Sequence, residues 1–397
     1  MTTSVLKRSN PLNGAIEILA SYRLAALVFV LLLILVYLGT LDQIENGLWA
    51  AQQKYFNSLY VVHTFFGIVP MVLPGGYFLL IVLTVNLISG GILRMRKGWS
   101  QAGVLVMHSG ILVLMAGAFI TFKYSYDGHM TLYENERSNE FQSYHDWEVT
   151  VTETGTERAA RQFVIDGDAF TSVTGDRRKT FSESGLPFSV TLYDFKQNAI
   201  RTPKGPMFET AEKIVDGAFL QPLDPDPQNE RNIAGVYATV DDAATGARVD
   251  GMLWGLDQSP WVVNAGDRTW LVELRRKRWQ VPFTVVLDKF TRELHPGTRT
   301  PRVFMSKITK IEDGEEQKIA IEMNEPLRYK GYTFFQASWG PQDAGPNEPL
   351  FSTFAVVRNP ADQFPLYACI IITAGLSLHF SIKLRKYLRA EARRRPA

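Results

Sequence analysis

Apolar residues run almost unbroken through four stretches of this chain and alternate with polar ones through much of the rest. The four stretches are Leu24–Leu41, Tyr77–Leu93, Ala102–Phe122 and Leu366–Ile382. Each has the roughly 17–25 residues that a helix needs to cross a hydrocarbon core of about 30 Å. The pattern predicts three spans near the N-terminus and one near the C-terminus. The first is too long for a cleaved signal peptide and has no small-x-small site before Asp42, which predicts a retained anchor. From Trp147 onward the period shortens. "WEVTVTET" (Trp147–Thr154) and "SKITKI" (Ser306–Ile311) alternate in the manner of strands. Turn signals such as "TGD", "AATGA", "EDGEE" and "YKGY" separate these runs. The expectation is an N-terminal membrane region over 1–122, a β-rich domain over 123–365 built as a sandwich or two packed sheets, and a last span with a basic tail over 366–397.

The β region carries an internal repeat. "LPFSVTLYDF" (Leu186–Phe195) matches "VPFTVVLDKF" (Val281–Phe290) at an offset of 95. Each copy is followed by "RTP", at Arg201–Pro203 and Arg299–Pro301. Two related β-lobes are the reading, and chance similarity of two proline-started strands is the alternative. The second copy leads to "PLRYKGY", a strand–turn–strand with Gly331 at the turn. Phe334, Phe335 and Trp339 follow and are read as core.

Charge sets the orientation. Lys7, Arg8 and Arg23 precede the first span; Arg94, Arg96 and Lys97 lie between the second and third; Lys383, Arg385, Lys386, Arg389 and Arg393–Arg395 follow the last. The segment from Asp42 to Pro74 holds only Lys54 as a basic residue. Both termini are therefore expected in the cytoplasm of a bacterium, and residues 123–365 outside. That segment has 28 Lys and Arg against 36 Asp and Glu. Its acidity argues against a nucleic-acid partner. The chain has one cysteine, Cys369, inside the last span. It can form no intrachain disulfide and carries no CxxCH haem-attachment site. His129, His145 and His295 show no metal-ligand spacing and are read as solvated. The chain also lacks GxSxG, HExxH and a glycine-rich phosphate loop.

Two histidines fall inside spans. On a helical wheel Gly103, Gly110 and Gly117 form one stripe suited to close helix packing. His108 lies on the other side with Val104, Ile111, Leu112, Met115 and Phe119. A polar group at that depth is paired or functional. His108 and His379 both belong to the cytoplasmic half of the bilayer, and neutral imidazole on an apolar wall suits haem iron. Hydrogen bonding to a neighbouring helix is the alternative for His108, and snorkelling to the interface for His379.

The whole chain resembles the ResB family of cytochrome c biogenesis proteins, one half of a two-component bacterial haem-attachment system. The similar segments are "YLGTLDQIENGLWAAQQKYFNS" (Tyr37–Ser58), "PGGYFLLIVLTVNLISG" (Pro74–Gly90), the third span, "PGTRTPRVFMSKI" (Pro296–Ile308) and "MNEPLRYKGYTFFQASW" (Met323–Trp339). The resemblance implies four transmembrane helices around a large extracytoplasmic β domain. It implies haem b as cargo, a ResC/CcsA-type membrane partner bearing a tryptophan-rich motif, and apocytochrome c as recipient of haem at CxxCH. The family's third-span histidine maps onto His108. His379 is a second candidate ligand, and Arg94, Arg96 and Lys97 are candidate propionate contacts. "SWGP" and "LWGLDQSPW" do not reproduce the partner's motif, so the chain is expected to be the ResB half alone. Without a cysteine or an acid/base constellation outside, positioning is favoured over catalysis. A membrane-anchored scaffold or sensor that binds no haem is the competing reading.

Overall fold

The structure, a computed structural model, describes residues 11–65, 69–154, 161–205, 212–242, 245–266, 268–297, 301–341 and 348–394. The chain divides into two compact units, Met1–Ser125 with Asn359–Ala397, and Tyr126–Arg358.

In the first unit a short helix, α1 (Pro11–Leu19), leads into α2 (Tyr22–Ala51). Ser21 caps α2, its hydroxyl accepting from the Leu24 N–H at 3.2 Å. Helix α2 continues ten residues beyond the expected end of the span. "DQIENGLWAA" is polar enough to end an apolar run but contains good helix formers, and only Gly47 breaks the geometry (φ 81°, ψ 164°). A π-helical turn, Gln52–Phe56, ends this segment. The expected loop that follows is a hairpin of two antiparallel strands, β1 (Tyr60–Phe65) and β2 (Val69–Pro74). Helix α3 (Gly76–Asn86) runs into a π-helix at Leu87–Leu93. A 3-10 turn at Trp99–Gln101 precedes α4 (Ala102–Tyr124), and the C-terminal helix spans Phe364–Arg394. Among the described residues four helical segments are long and apolar enough to cross a membrane: Tyr22–Phe56, Gly76–Leu93, Trp99–Tyr124 and Phe364–Arg394.

The glycine stripe of α4 is the packing face. Gly103, Gly110 and Gly117 are its buried residues. A Cβ on Gly103 would lie 2.4 Å from the His379 backbone nitrogen, one on Gly110 2.7 Å from Ile372, and one on Gly117 2.6 Å from Phe364. Gly375 answers from the C-terminal helix, where a Cβ would lie 2.5 Å from the Met107 nitrogen. The two backbones touch because neither carries side chains there.

The second unit holds β3 (Tyr126–Tyr133), β4 (Arg137–Thr154), β5 (Gln162–Asp166), β6 (Arg178–Phe181), β7 (Phe188–Lys196), β8 (Ala199–Pro203), β9 (Ala218–Pro222) and β10 (Gly235–Asp242). There follow β11 (Arg248–Trp254), β12 (Trp261–Ala265), β13 (Arg268–Leu294), β14 (Pro301–Glu312), β15 (Glu315–Glu322), β16 (Leu327–Tyr329), β17 (Tyr332–Gly340) and β18 (Phe351–Arg358). A ten-stranded sheet has the order β15-β14-β13-β4-β3-β18-β17-β16, with β12 on β13 and β5 on β4. Its ends nearly meet: a bridge between Glu322 and Glu325 joins the end of β15 to the approach of β16. A four-stranded sheet, β11-β10-β7-β6, and a β8-β9 ribbon complete the unit.

Two large cores result. In one, Trp147 and Val149 of β4 and Trp270 and Val272 of β13 pack with Phe188 and Val190 of β7 and Val236 of β10, sheet on sheet. In the other, the large sheet curls around Phe141, Phe283, Val285, Leu287, Phe334 and Phe354. The repeat copies fall one in each: Phe188, Val190 and Leu192 in the first, and Phe283, Val285 and Leu287 in the second. Of the second "RTP", Arg299 and Thr300 lie outside the described residues. The "YKGY" turn forms as expected, with Lys330 (φ 48°) and Gly331 (φ 81°) left-handed between paired β16 and β17. Phe334 and Trp339 are buried, whereas Phe335 points outward at 37% exposure. The strand alternates through Phe334, so its neighbour faces away.

Two outcomes follow from this packing. Gly103→Val is expected to destabilise the helical unit by about 1–3 kcal/mol, because backbone cannot yield as a side chain does. Gly14→Ala, inside α1 with nothing within 4 Å, is expected to be stabilising by up to about 1 kcal/mol; thermal unfolding in detergent compares them. Phe334→Ala is expected to cost about 3–5 kcal/mol, and Phe335→Ala less than about 0.5 kcal/mol, measured by denaturant unfolding followed by near-ultraviolet dichroism.

Candidate functional site

His108 is held by the end of the second span. "LISGGIL" forms a π-helix whose last carbonyls have no partner within the helix. The His108 Nδ1 lies 2.9 Å from the Gly91 carbonyl oxygen. A carbonyl only accepts, so Nδ1 carries the proton and donates it, and Nε2 keeps its lone pair. Gly91 is required for this approach: a Cβ there would sit 2.8 Å from Nδ1. A Cβ on Gly90 would sit 2.6 Å from the Ala20 carbonyl oxygen, so the glycine pair admits α1 on one side and the imidazole on the other.

The face of α4 that bears His108 therefore meets the second span, rather than presenting a bare lipid surface. Leu112, Met115 and Phe119 continue that face outward. They line a cavity of about 660 Å³ with Tyr77, Ile81 and Thr84 of α3, within the size range of ligand pockets. Thr84 donates to the Leu80 carbonyl at 2.8 Å and approaches the Met115 sulfur at 3.5 Å. Tyr77 and Phe122 pack at 4.7 Å between ring centroids at the end of the cavity away from His108. Apart from Asn57, the rest of the lining is apolar.

His379 sits elsewhere. Its backbone packs on Gly103, and Gly103 lies about 140° around α4 from His108 at 100° per residue. Its Nδ1 is buried with no hydrogen-bond partner among the described residues. No described contact joins the two imidazoles: His108 leaves α4 on one side, and the helix bearing His379 packs on another. Arg94, Arg96 and Lys97 are exposed and follow Gly91 by three, five and six residues, at the helix end that holds His108. Arg94 makes a long surface pair with Glu17 at 3.6 Å.

Asn86 carries no motif and escapes a sequence reading, yet it fixes this corner. It is buried, and its amide donates to the Leu19 and Ser21 carbonyls at 2.6 and 3.0 Å. The available signal was a lone amide in an apolar run, which demands partners. Among the described residues no group of three or more His, Cys, Asp or Glu could hold a metal ion. A single imidazole with its other nitrogen oriented by a carbonyl would instead suit haem iron, for which the porphyrin itself would supply most of the donors.

In the second unit, His129 and His145 are not the solvated residues expected. The His129 Nδ1 is buried without a partner among the described residues, and its ring lies 5.1 Å from that of Tyr144. The His145 Nδ1 lies 2.9 Å from the Asn229 amide nitrogen. Between them runs Arg276, which donates to the carbonyls of Tyr144, Glu230 and Asn232 at 2.8–2.9 Å and lies 4.1 Å over the Trp147 ring. Burial pushes this guanidinium down to about 10. In the sequence Arg276 belongs to "LRRKRW", which resembles a solvated charge run; its role depends on three carbonyls brought together by the fold.

Apolar helices that carry a carbonyl-bound imidazole beside an apolar groove, followed in the chain by a curled β unit, define the architecture. Residues 246–348 match the ResB-like family, so the resemblance drawn from the sequence holds. The matched segment runs from β11 through β17; the helices and His108 lie outside it. The chain is also 23% identical over 337 residues to Protein NrfI of Wolinella succinogenes, covering 83% of this chain and 32% of that protein. It thus spans about a third of the length of the curated relative it matches.

Burial lowers the pKa of both His129 and His145 from the ordinary value of 6.5. Below 6.5 the unfolded chain takes up protons that the folded domain refuses, so stability is expected to fall as pH drops from 7 to about 5.5. Asp127, raised by burial from 3.8, acts with the opposite sign and at lower pH. Thermal unfolding across that window, compared with the His129→Gln/His145→Gln double variant, checks this: the double variant should give a flatter profile.

Proposed function

We propose that this chain is a cytochrome c maturation subunit of the ResB type. It holds haem b at His108 and, with a ResC/CcsA-type membrane partner, presents it to the CxxCH of an apocytochrome c on the extracytoplasmic side. The observation that carries the reading is the imidazole itself: the Gly91 carbonyl accepts a hydrogen bond from Nδ1–H, which leaves Nε2 free to ligate, one turn from the groove between α3 and α4. Both termini lie in the cytoplasm in this reading, and the acidic β domain faces outward, where it receives basic apocytochromes. The apolar groove excludes water from one porphyrin face. Arg94, Arg96 and Lys97 are placed to neutralise the propionates near the inner boundary, and His379 is the weaker candidate for a second ligand. The haem supplies the vinyl groups that thioether formation consumes. The chain's own part is to bind, orient and hand over.

The test is a reduced-minus-oxidised haem spectrum of the full chain purified with and without its partner. His108→Ala is expected to lower bound haem by about tenfold or more, to cost about 1–3 kcal/mol of stability through the orphaned Gly91 carbonyl, and to regain the spectrum with added imidazole. His379→Ala, by contrast, is expected to shift the bands only if it ligates. Parental haem content and bands in His108→Ala would sink the proposal. The imidazole would then be a cap on the second span, and the haem-free scaffold reading would stand.

A further inference from the structure

We propose that the β1–β2 hairpin is a membrane-interface element, its outer face seated at the boundary between acyl chains and headgroups of the outer leaflet. The proposal rests on the membrane topology above and goes beyond it. No Asp, Glu, Lys or Arg occurs from Tyr55 to Leu93, so the hairpin lies inside an uncharged run of 39 residues.

Its two faces differ in what they touch. Val61↔Leu73 and His63↔Met71 share one face. Val61 is buried with Leu35, Leu38 and Leu79 of the helices, and the His63 Nδ1 lies 2.6 Å from the hydroxyl of the buried Tyr55. Tyr60↔Pro74, Val62↔Val72 and Thr64↔Pro70 share the other face. That face is open and almost wholly apolar: Val62 is 50% and Val72 69% exposed. On the flanking helices Tyr37, Leu41 and Phe78 are likewise exposed.

The hairpin cannot swing away from the bilayer, because its base is pinned to the helix ends. A Cβ on Gly75 would lie 2.1 Å from the Ser58 carbonyl oxygen, one on Gly76 3.0 Å from the Phe56 Cα, and one on Gly39 3.2 Å from the Phe56 ring. Nor can it sink into the hydrocarbon. A two-stranded ribbon has two unpaired edges, and unpaired N–H and C=O groups are not tolerated there. Pro70 and Pro74 remove two donors from β2, and the remaining edge groups need water or headgroups. The boundary layer satisfies both demands, and Tyr60, apolar with a polar tip, belongs there.

The test uses the full chain in nanodiscs of phosphatidylcholine and phosphatidylglycerol. Cys369 is the only cysteine, so a Cys369→Ala background allows single nitroxide labels at Val62→Cys and Val72→Cys. Phe29→Cys serves as the span control and Gln317→Cys as the water control. Collision with oxygen against a nickel chelate is measured. The expected result is an oxygen-to-nickel ratio at 62 and 72 severalfold above that at 317 and below that at 29. Nickel-dominated collision at 62 and 72, with 29 still oxygen-dominated, would overturn the hairpin proposal and leave the topology intact. So would shielding from both reagents, which means a protein covers the face. Nickel access at 29 would overturn the topology and the hairpin together.

Discussion

The backbone contact between α4 and the C-terminal helix is the constraint on which the helical unit depends. Three glycines on one helix and one on the other remove the side chains that would hold them apart. The β unit is inserted in the chain between these two helices. Their contact closes the loop of sequence that the insertion opens. Inside the β unit the same demand is met by pairing: Tyr126 opposite Arg358, at the first and last residues of the insertion. Each unit thus brings its two chain ends together by its own means, one with dispersion between bare backbones and the other with a strand ladder. The cost is intolerance. A methyl group at Gly103 meets backbone, and there is no rotamer to relieve it.

With that face of α4 committed, the histidine falls on the other side, where the second span ends. A π-helical ending, two adjacent glycines and a buried asparagine shape that corner. Each satisfies a backbone group that would otherwise be orphaned in an apolar setting: the Gly91 carbonyl by His108, the Leu19 and Ser21 carbonyls by Asn86. The site is built from unmet hydrogen-bond capacity at helix ends, and a tautomer with a free Nε2 is the by-product.

Much of this was legible in the sequence. The four apolar runs, the glycine stripe and the "YKGY" turn all depend on local periodicity and appear where that periodicity puts them, whereas the strands of the β unit begin at Tyr126, well before the alternation near Trp147. The face of His108 was legible too, because a helical wheel needs only spacing. What stood on that face was not, since it depends on where another helix stops. The continuation of α2 to Ala51 and the β1–β2 hairpin were missed because polarity was taken to end a helix and an uncharged loop has no turn period. Burial of His129, His145 and Arg276 was hidden for the same reason: their partners lie on strands distant in the chain, and Asn229 and Glu230 belong to a turn with no pattern at all.

Strands β4 and β13 supply residues to both large cores of the β unit. The repeat is visible as two sequence copies, yet each of these long strands serves both cores. A cut between the copies would expose half of each long strand and open both cores at once. The repeated segment is therefore not a unit of folding, and the β unit is expected to melt in one cooperative step.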